Sequence, residues 1–261
     1  MKKYILGIAA SLLIGISIVG TSWKAVETPQ TQIRIVKSIA KDSLYNQYIS
    51  NLYHTAGLDS AGLKESVFEK ALTGFYNMKH SGLLHSKSIL TIADFDQESY
   101  KKRLYIIDLD KKSLLLNTWV AHGEKSGANK ASNFSNAKNS NKSSLGFYLT
   151  GEVYHGKHGR SLKLDGMDPG FNNNARERSI VVHGADYVSQ HSINELGRLG
   201  RSQGCPAVPA KLANTVINTI SDHTVLFINH SDQHYTSQLL NETLAASVAL
   251  NQEETLASNM D

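Results

Sequence analysis

Two neighbouring stretches decide the fold: Ser179-Ile180-Val181-Val182-His183-Gly184-Ala185-Asp186-Tyr187-Val188, and then Gly200-Arg201-Ser202-Gln203-Gly204-Cys205-Pro206-Ala207-Val208-Pro209. The first is a short apolar run bounded by turn residues, the pattern of a buried strand. His183 stands at the end of that run, where a strand holds a side chain rigidly, and Gly184 permits close backbone approach. Cys205 follows 22 residues later in a polar, turn-forming context. Thiol chemistry requires a thiolate, which a nearby cation or a helix N-terminus stabilises. Arg198 and Arg201 lie just upstream, and a helix is predicted over PAKLANTVINTI (209–220), with Pro209 in its first turn and Leu212, Val216 and Ile220 four apart. Gly204 suits a tight turn whose amides, with that of Cys205, point into one concavity, as an oxyanion hole needs. Pro206 then ends any regular approach to the thiol.

A reactive thiol also needs a base. His183 is the first candidate, and His191, His155 and His158 compete with it. His155, His158, His183, Asp165 and Asp186 also offer enough imidazole and carboxylate for a three-ligand zinc site. No H-E-x-x-H helix is present, Gly156 and Gly159 indicate a loop, and the G-x-S-x-G serine elbow is absent.

Outward from this centre the chain reads as mainly β (α+β). SILTIADF (88–95), RLYIIDLD (103–110) and SLLLNTWVAHG (113–123) form an antiparallel meander, while LGFYLTGEVY (145–154) and HTVLFINH (223–230) are further strands. Between them, 15 of the 23 residues from His122 to Ser144 are Ser, Asn or Lys, a composition that predicts a solvated loop. Residues 42–87 carry two helical patterns, one from Asp42 to Gly57 and one over 60–80. Residues 23–41 are polar and read as a linker. Residues 1–22, with Lys2 and Lys3 ahead of an apolar run from Ile5 to Val19, read as a signal peptide cleaved after Ser22, or as an N-terminal anchor.

The composition excludes several classes. A chain of 261 residues with 19 Gly, 4 Pro and one cysteine is neither collagenous nor disulfide-stapled, and a single thiol builds neither a Cys-rich zinc site nor an iron–sulfur cluster. Charge is unevenly placed. Residues 212–261 hold six acids and no Lys or Arg, so 231–261 reads as an acidic tail, weakly amphipathic and either helical or disordered over 237–257, and free to fold over the basic half. Lys101 to Lys211 contains 17 basic residues against 9 acidic. That surplus favours anionic partners. No basic stripe interleaved with aromatics is present, so no nucleic-acid partner is expected.

SSLGFYLTG, SIVVHGADYV and GRSQGCPAVP, in that order and spacing, resemble the YkuD-type L,D-transpeptidase catalytic domain of bacterial cell-wall enzymes, in a subgroup with a GCPAVP-like ending. The resemblance covers 88–230. It implies a β-sandwich catalytic domain, a small N-terminal helical region and one helix after the cysteine. It also implies action on peptidoglycan stem peptides in the periplasm or cell envelope, with no cofactor or metal. Membrane contact is then made only through an uncleaved N-terminal segment. By this resemblance Cys205 attacks the carbonyl of the L,D-peptide bond, His183 takes its proton, the Gly184 carbonyl orients the imidazole, amides near Gly204 and Cys205 hold the oxyanion, and Ser202 lines the site. Carbapenem-type β-lactams are implied inhibitors. The usual pattern has His at the position of Gln203 and Arg shortly after the cysteine, where this chain has Pro206-Ala207-Val208. Arg201, Arg198 and Arg178, with Gln203, are therefore the candidate ligands for substrate carboxylates. An L,D-carboxypeptidase or other murein hydrolase with the same Cys/His pair is the alternative, and a wall-binding module without activity is a third.

Overall fold

The computed structural model describes residues 29–258, so the signal or anchor expected at 1–22 lies outside the described residues. The chain divides into two compact units, residues 1–38 and 39–261. Of the first, 29–38 are described and are helical. Helix α1 spans Pro29–Thr55, which corrects the expected linker: its residues 29–41 are helical, and Pro29 takes the first position of the helix, where its fixed φ and missing N–H carry no penalty.

In the second unit Tyr45, Ile49, Leu52 and Tyr53 are buried, while Leu44 remains exposed. Helix α2 (Glu65–His80) sets Val67, Phe68, Ala71, Leu72, Phe75 and Tyr76 against them. One hydroxyl bond ties the pair, Tyr48 Oη to Tyr76 Oη at 2.5 Å, and a second, Tyr53 Oη donating to the Leu63 carbonyl at 2.5 Å, holds the connection between them.

Eight strands follow: β1 (Ile89–Asp94), β2 (Leu104–Asp108), β3 (Ser113–Thr118), β4 (Gly146–Gly156), β5 (Gly159–Gly166), β6 (Val181–Ala185), β7 (Ala207–Pro209) and β8 (Val225–Asn229). They form one mixed sheet in the order β3-β2-β1-β8-β4-β5-β6-β7. The expected meander is β1 to β3, and β1–β8 and β6–β7 are the parallel pairs. Residue parity explains why the strands read as near-continuous apolar runs. Leu90, Ile92, Tyr105, Ile107, Phe147, Val225 and Phe227 face one core with α2. Ile89, Ala93, Leu104, Ile106, Tyr148, Leu226 and Ile228 face another with Leu162, Leu164, Val182 and helix α4 (Ala213–Ile220).

The expected sandwich is realised as a single sheet that curls. Just past β3, Ala121 bridges Ala207 of β7, its N–H donating to the Ala207 carbonyl at 2.8 Å, so the two ends of the sheet meet. The predicted helix at 209–220 starts later than its pattern suggests. Pro209 ends β7, Ala210–Leu212 form a 3-10 turn, and α4 begins at Ala213. Two strands and one helix escaped sequence reading: β5, the three-residue β7, and α3 (Gln190–Leu196), whose N-cap Ser189 accepts from the Ser192 amide.

Of the two alternatives the sequence leaves for the acidic tail, helix and disorder, the structure has the helix. Residues 242–258 form helix α5 (Glu242–Ser258), which buries Ala245, Ala246 and Ala249 against α2. Asn77 donates to the carbonyls of Leu239 and Asn241 at 2.7 and 3.0 Å, and Lys79 to Gln252 at 2.7 Å. The tail therefore packs on the helical side, not over the basic half.

One glycine on α2 fixes how closely helix and sheet approach. A Cβ at Gly74 would lie 2.0 Å from Phe147 Cε1, and Phe147 is itself stacked on Phe227 at 4.3 Å between centroids. Gly to Ala within a helix ordinarily stabilises by about 0.5–1 kcal/mol. Here the sign reverses: Gly74→Ala is expected to cost about 3 kcal/mol by overpacking, seen as a lower urea midpoint. An unchanged or higher midpoint would show that α2 does not lie flat on β4.

Candidate active site

β6 and β7 run parallel with His183 opposite Ala207, two residues past Cys205, so strand pairing carries the histidine and the thiol to one sheet edge. His183 and Cys205 line a cavity of about 410 Å³ together with Tyr154, Lys157, His158, Tyr187, Arg201 and Gln203. A larger cavity of about 720 Å³ adjoins it through His158 and Tyr187 but does not include Cys205.

His183 is buried, and its Nδ1 lies 2.9 Å from its neighbour's carbonyl, Gly184 O. A carbonyl only accepts, so Nδ1 carries the proton and Nε2 is left as the basic nitrogen. The ring stacks on His158 at 4.3 Å between centroids. Burial lowers the His183 pKa, the Gly184 bond opposes this, and His158 and Lys157 lower it further. The neutral imidazole is thus the resting form at neutral pH. Gly184 has a packing role too. A Cβ there would meet Ala213 Cβ at 2.8 Å, so the turn into α4 sits directly on β6.

Cys205 is half-buried, with Sγ 3.6 Å from the Ser179 carbonyl. Burial raises its pKa, while a hydrogen bond from the Val181 amide and the charges of Arg178 and Lys157 pull it down. The net direction is upward, which corrects the expectation of a thiolate stabilised by nearby cations. Desolvation outweighs them, which favours the neutral thiol.

The turn holding Cys205 is stapled from within. Ser202 Oγ donates to the Cys205 carbonyl at 2.7 Å and accepts from the Gly204 amide at 3.0 Å. The Gly204 amide is therefore spent inside the turn, a correction to its expected part in an oxyanion hole. Ser202 lines the cavity but acts as the staple. The Cys205 amide has no acceptor among the described residues. Gly204 itself adopts φ +127, and a Cβ would meet the Lys142 carbonyl at 2.8 Å.

The Ser/Asn/Lys-rich stretch is not a floppy loop. It wraps the thiol turn, with Ser126, Ser143 and Ser144 buried. Ser143 Oγ donates to the Gly204 carbonyl at 3.0 Å and accepts from the Gly123 amide at 3.0 Å. Arg178 fastens the far side. Its Nη1 donates to the Ser135 carbonyl at 2.7 Å and to Ser144 Oγ; its Nη2 donates to the Lys142 carbonyl at 2.5 Å and to Ser140 Oγ at 3.1 Å. Arg178 lines the cavity too, but with all four terminal N–H groups engaged by the loop it has the contacts of a strut more than those of the expected ligand for a substrate carboxylate. Arg198 donates to the Leu199 carbonyl at 2.8 Å and does not line the cavity. Arg201 does line it; its Nη1 holds the carbonyls of Glu124 and Gly127 at 3.0 and 2.9 Å, and Nη2 has no partner among the described residues. Gln203 is exposed at the rim.

Beneath the turn, the His122 carbonyl accepts from the Ser202 amide at 3.0 Å. His122 is buried, and the fully buried Arg103 donates Nη2 to its Nδ1 at 2.7 Å. Burial, with Arg103 and Arg201 adding repulsion, pushes the His122 pKa down to about 3. An unfolded chain takes up this proton near pH 6.5, so stability is full above that value and falls as pH drops toward 3, at up to about 1.4 kcal/mol per pH unit. His122→Gln keeps an acceptor for Arg103 and removes the titration; urea midpoints at pH 7 and pH 5 should differ less in the variant than in the parent. Equal differences would place the acid sensitivity elsewhere.

Several site residues had no sequence signal. Tyr154 and Lys157 belong to the β4–β5 hairpin, which reaches the thiol only through the pairing of Ser161 with His183. His191 is exposed on α3, and Asp165 is taken by Arg176. The imidazoles and carboxylates of the contemplated zinc set do not converge. Among the described residues the one group whose ligand atoms do is His85, Asp222 and His223.

A family model described as the L,D-transpeptidase catalytic domain matches residues 59–229. No curated protein matches the chain. Among solved structures, an L,D-transpeptidase from Mycobacterium smegmatis is 11% identical, with 56% of this chain and 60% of that one covered and a TM-score of 0.36. An L,D-transpeptidase designated LdtMt1, solved in complex with imipenem, is 10% identical over 55% of this chain and 60% of its own, with a TM-score of 0.35. The helical cell shape determining protein Pgp2 from Campylobacter jejuni is 13% identical over 68% and 62%, with a TM-score of 0.38. The chain thus spans about 60% of the length of the first two.

Proposed function

The chain belongs to the L,D-transpeptidase catalytic-domain family, and on that premise we propose that it is a cell-wall peptidoglycan L,D-transpeptidase that works through a Cys205 acyl-enzyme. The observation that carries this reading is the placement of an Nδ1-protonated His183 in one cavity with the Cys205 thiol, whose pKa burial raises.

Cys205 Sγ attacks the carbonyl carbon of an L,D-peptide bond in a stem peptide, and His183 Nε2 takes the thiol proton. The Cys205 amide, free of any acceptor among the described residues, donates to the developing oxyanion. On collapse, the C–N bond breaks, the imidazolium returns its proton to the departing amine, and a thioester remains. An amine of a second stem peptide then loses its proton to His183 and forms the new amide, and the proton passes back to sulfur. Arg201 and Lys157 supply positive charge at the cavity for stem-peptide carboxylates, with Gln203 at the rim. The strained carbonyl of a carbapenem-type β-lactam acylates the same sulfur.

The N-terminal Lys2-Lys3 and apolar run support export to the periplasm or cell envelope. Among the described residues no helix is long and apolar enough to cross a membrane. Incubation with tetrapeptide muropeptides, followed by mass spectrometry, tests the proposal. Cross-linked dimers are the expected product. Tripeptide alone would mark the carboxypeptidase, and no product with unaltered wall binding would mark a non-catalytic module.

A further inference from the structure

The turn between α4 and β8 contains two consecutive non-glycine residues in left-handed conformation, Asp222 at φ 79 and His223 at φ 55. Asp and His are among the non-glycine residues that take this conformation most readily. Their side chains meet His85, from the connection between α2 and β1. His85 Nδ1 lies 2.8 Å from Asp222 Oδ1, and the His85 and His223 rings stack at 4.0 Å between centroids. One ligand atom from each of the three residues lies within 4.8 Å of the others.

We propose that His85, Asp222 and His223 form a site for a divalent transition-metal ion of the zinc class, separate from the thiol cavity. Two imidazoles and one carboxylate match the donor preference of zinc, nickel and copper(II), and not that of calcium or magnesium, which take oxygen. The residues are exposed or half-buried, so water reaches the remaining coordination positions. On binding through Nδ1, the ion takes the place of the proton between His85 Nδ1 and Asp222, and the neutral ring carries that proton on Nε2 instead. The Lys87 ammonium, held on the Ser221 and Asn218 carbonyls at 3.0 and 3.4 Å, adds a positive charge nearby that limits affinity.

The position gives the site a mechanical role. β1 and β8 are parallel neighbours that begin side by side, with Leu90 opposite Val225. An ion bound here clamps their leading ends together, joining the connection after α2 to the end of α4, whose first turn rests on Gly184. Metal should stabilise the fold without entering the reaction.

The test is titration of the full chain with zinc chloride, in native form and after Cys205 has been alkylated to remove the thiol as a ligand. Saturable one-to-one binding is expected in both, with a higher melting temperature when zinc is present. His85→Ala, and His223→Asn, which tolerates the left-handed backbone, should each weaken binding at least tenfold and abolish the thermal shift. Metal-free circular dichroism identical to the parent would show that they fold. Should either variant unfold, cobalt(II) on the parent protein serves instead: d–d bands of a nitrogen and oxygen ligand set support the site. Absence of saturable binding, unchanged affinity in both folded variants, or cobalt bands showing no bound imidazole would overturn it.

Discussion

His183→Ala is expected to slow acylation of Cys205 about a thousandfold at neutral pH, the scale of a lost general base, while leaving the fold intact. The pH profile separates this from a structural effect. In the parent, the rate should rise with pH as the buried His183 loses its proton, with a midpoint below the ordinary histidine value of about 6.5, and then level off. Below that midpoint the imidazolium cannot accept a proton. Without His183, thiolate forms only by ionisation in bulk water, and burial has raised that pKa. The variant's rate should therefore climb continuously into the alkaline range. A variant profile that keeps the parental plateau would mean that the thiol is already ionised, as in a thiolate–imidazolium pair, and that desolvation at Cys205 is not decisive. Stopped-flow acylation by a carbapenem, followed from pH 5 to pH 10, provides both curves.

Arg178→Met should cost about 3 kcal/mol of stability and most of the activity, because it strands the carbonyls of Ser135 and Lys142 and frees the loop over Gly204. Arg201→Ala should behave differently. Its guanidinium holds only two backbone carbonyls and leaves Nη2 facing no protein acceptor among the described residues. Loss of a charge-assisted contact to substrate then appears as a KM raised about tenfold or more, with kcat and the urea midpoint little changed. The reverse assignment, with Arg178→Met raising KM alone, would make Arg178 the carboxylate ligand and reduce the loop bonds to incidental contacts.

This contrast shows which parts of the site were legible in the sequence. A cysteine in a polar turn and a histidine at a strand end announce themselves locally, and so did β1, β2, β4, β6 and β8, whose apolar runs are buried on both faces. The role of Arg178 depends on four acceptors between positions 135 and 144 that no local pattern links to it. The same holds for the loop: Ser and Asn side chains read as solvated until their partners, the backbone groups of the thiol turn, are in place. β5 hides in RSLKLD (160–165) between two glycines, because Arg160, Lys163 and Asp165 interrupt its apolar run while Ser161 is buried with Leu162 and Leu164. α5 shows in the sequence only as a weakly amphipathic stretch, helical or disordered, because it is built on alanine, with a stripe fitted to α2 instead of a wide apolar face. The thiol's electrostatics differ from the local pattern for a related reason. Proximity of basic residues in sequence suggested a lowered pKa, whereas the depth of the turn, set by Ser202, Ser143 and Arg178, makes desolvation the larger effect.

The most direct measurement is intact-protein mass spectrometry with peptide mapping, after brief mixing of the protein with a tetrapeptide stem and acid quenching. A single adduct is expected, equal to the stem peptide without its terminal residue, carried by Cys205 as an acid-stable thioester, and discharged when an amine acceptor is added. Cross-linked or trimmed product formed while Cys205 stays unmodified, or product formation that survives in Cys205→Ala, would contradict it.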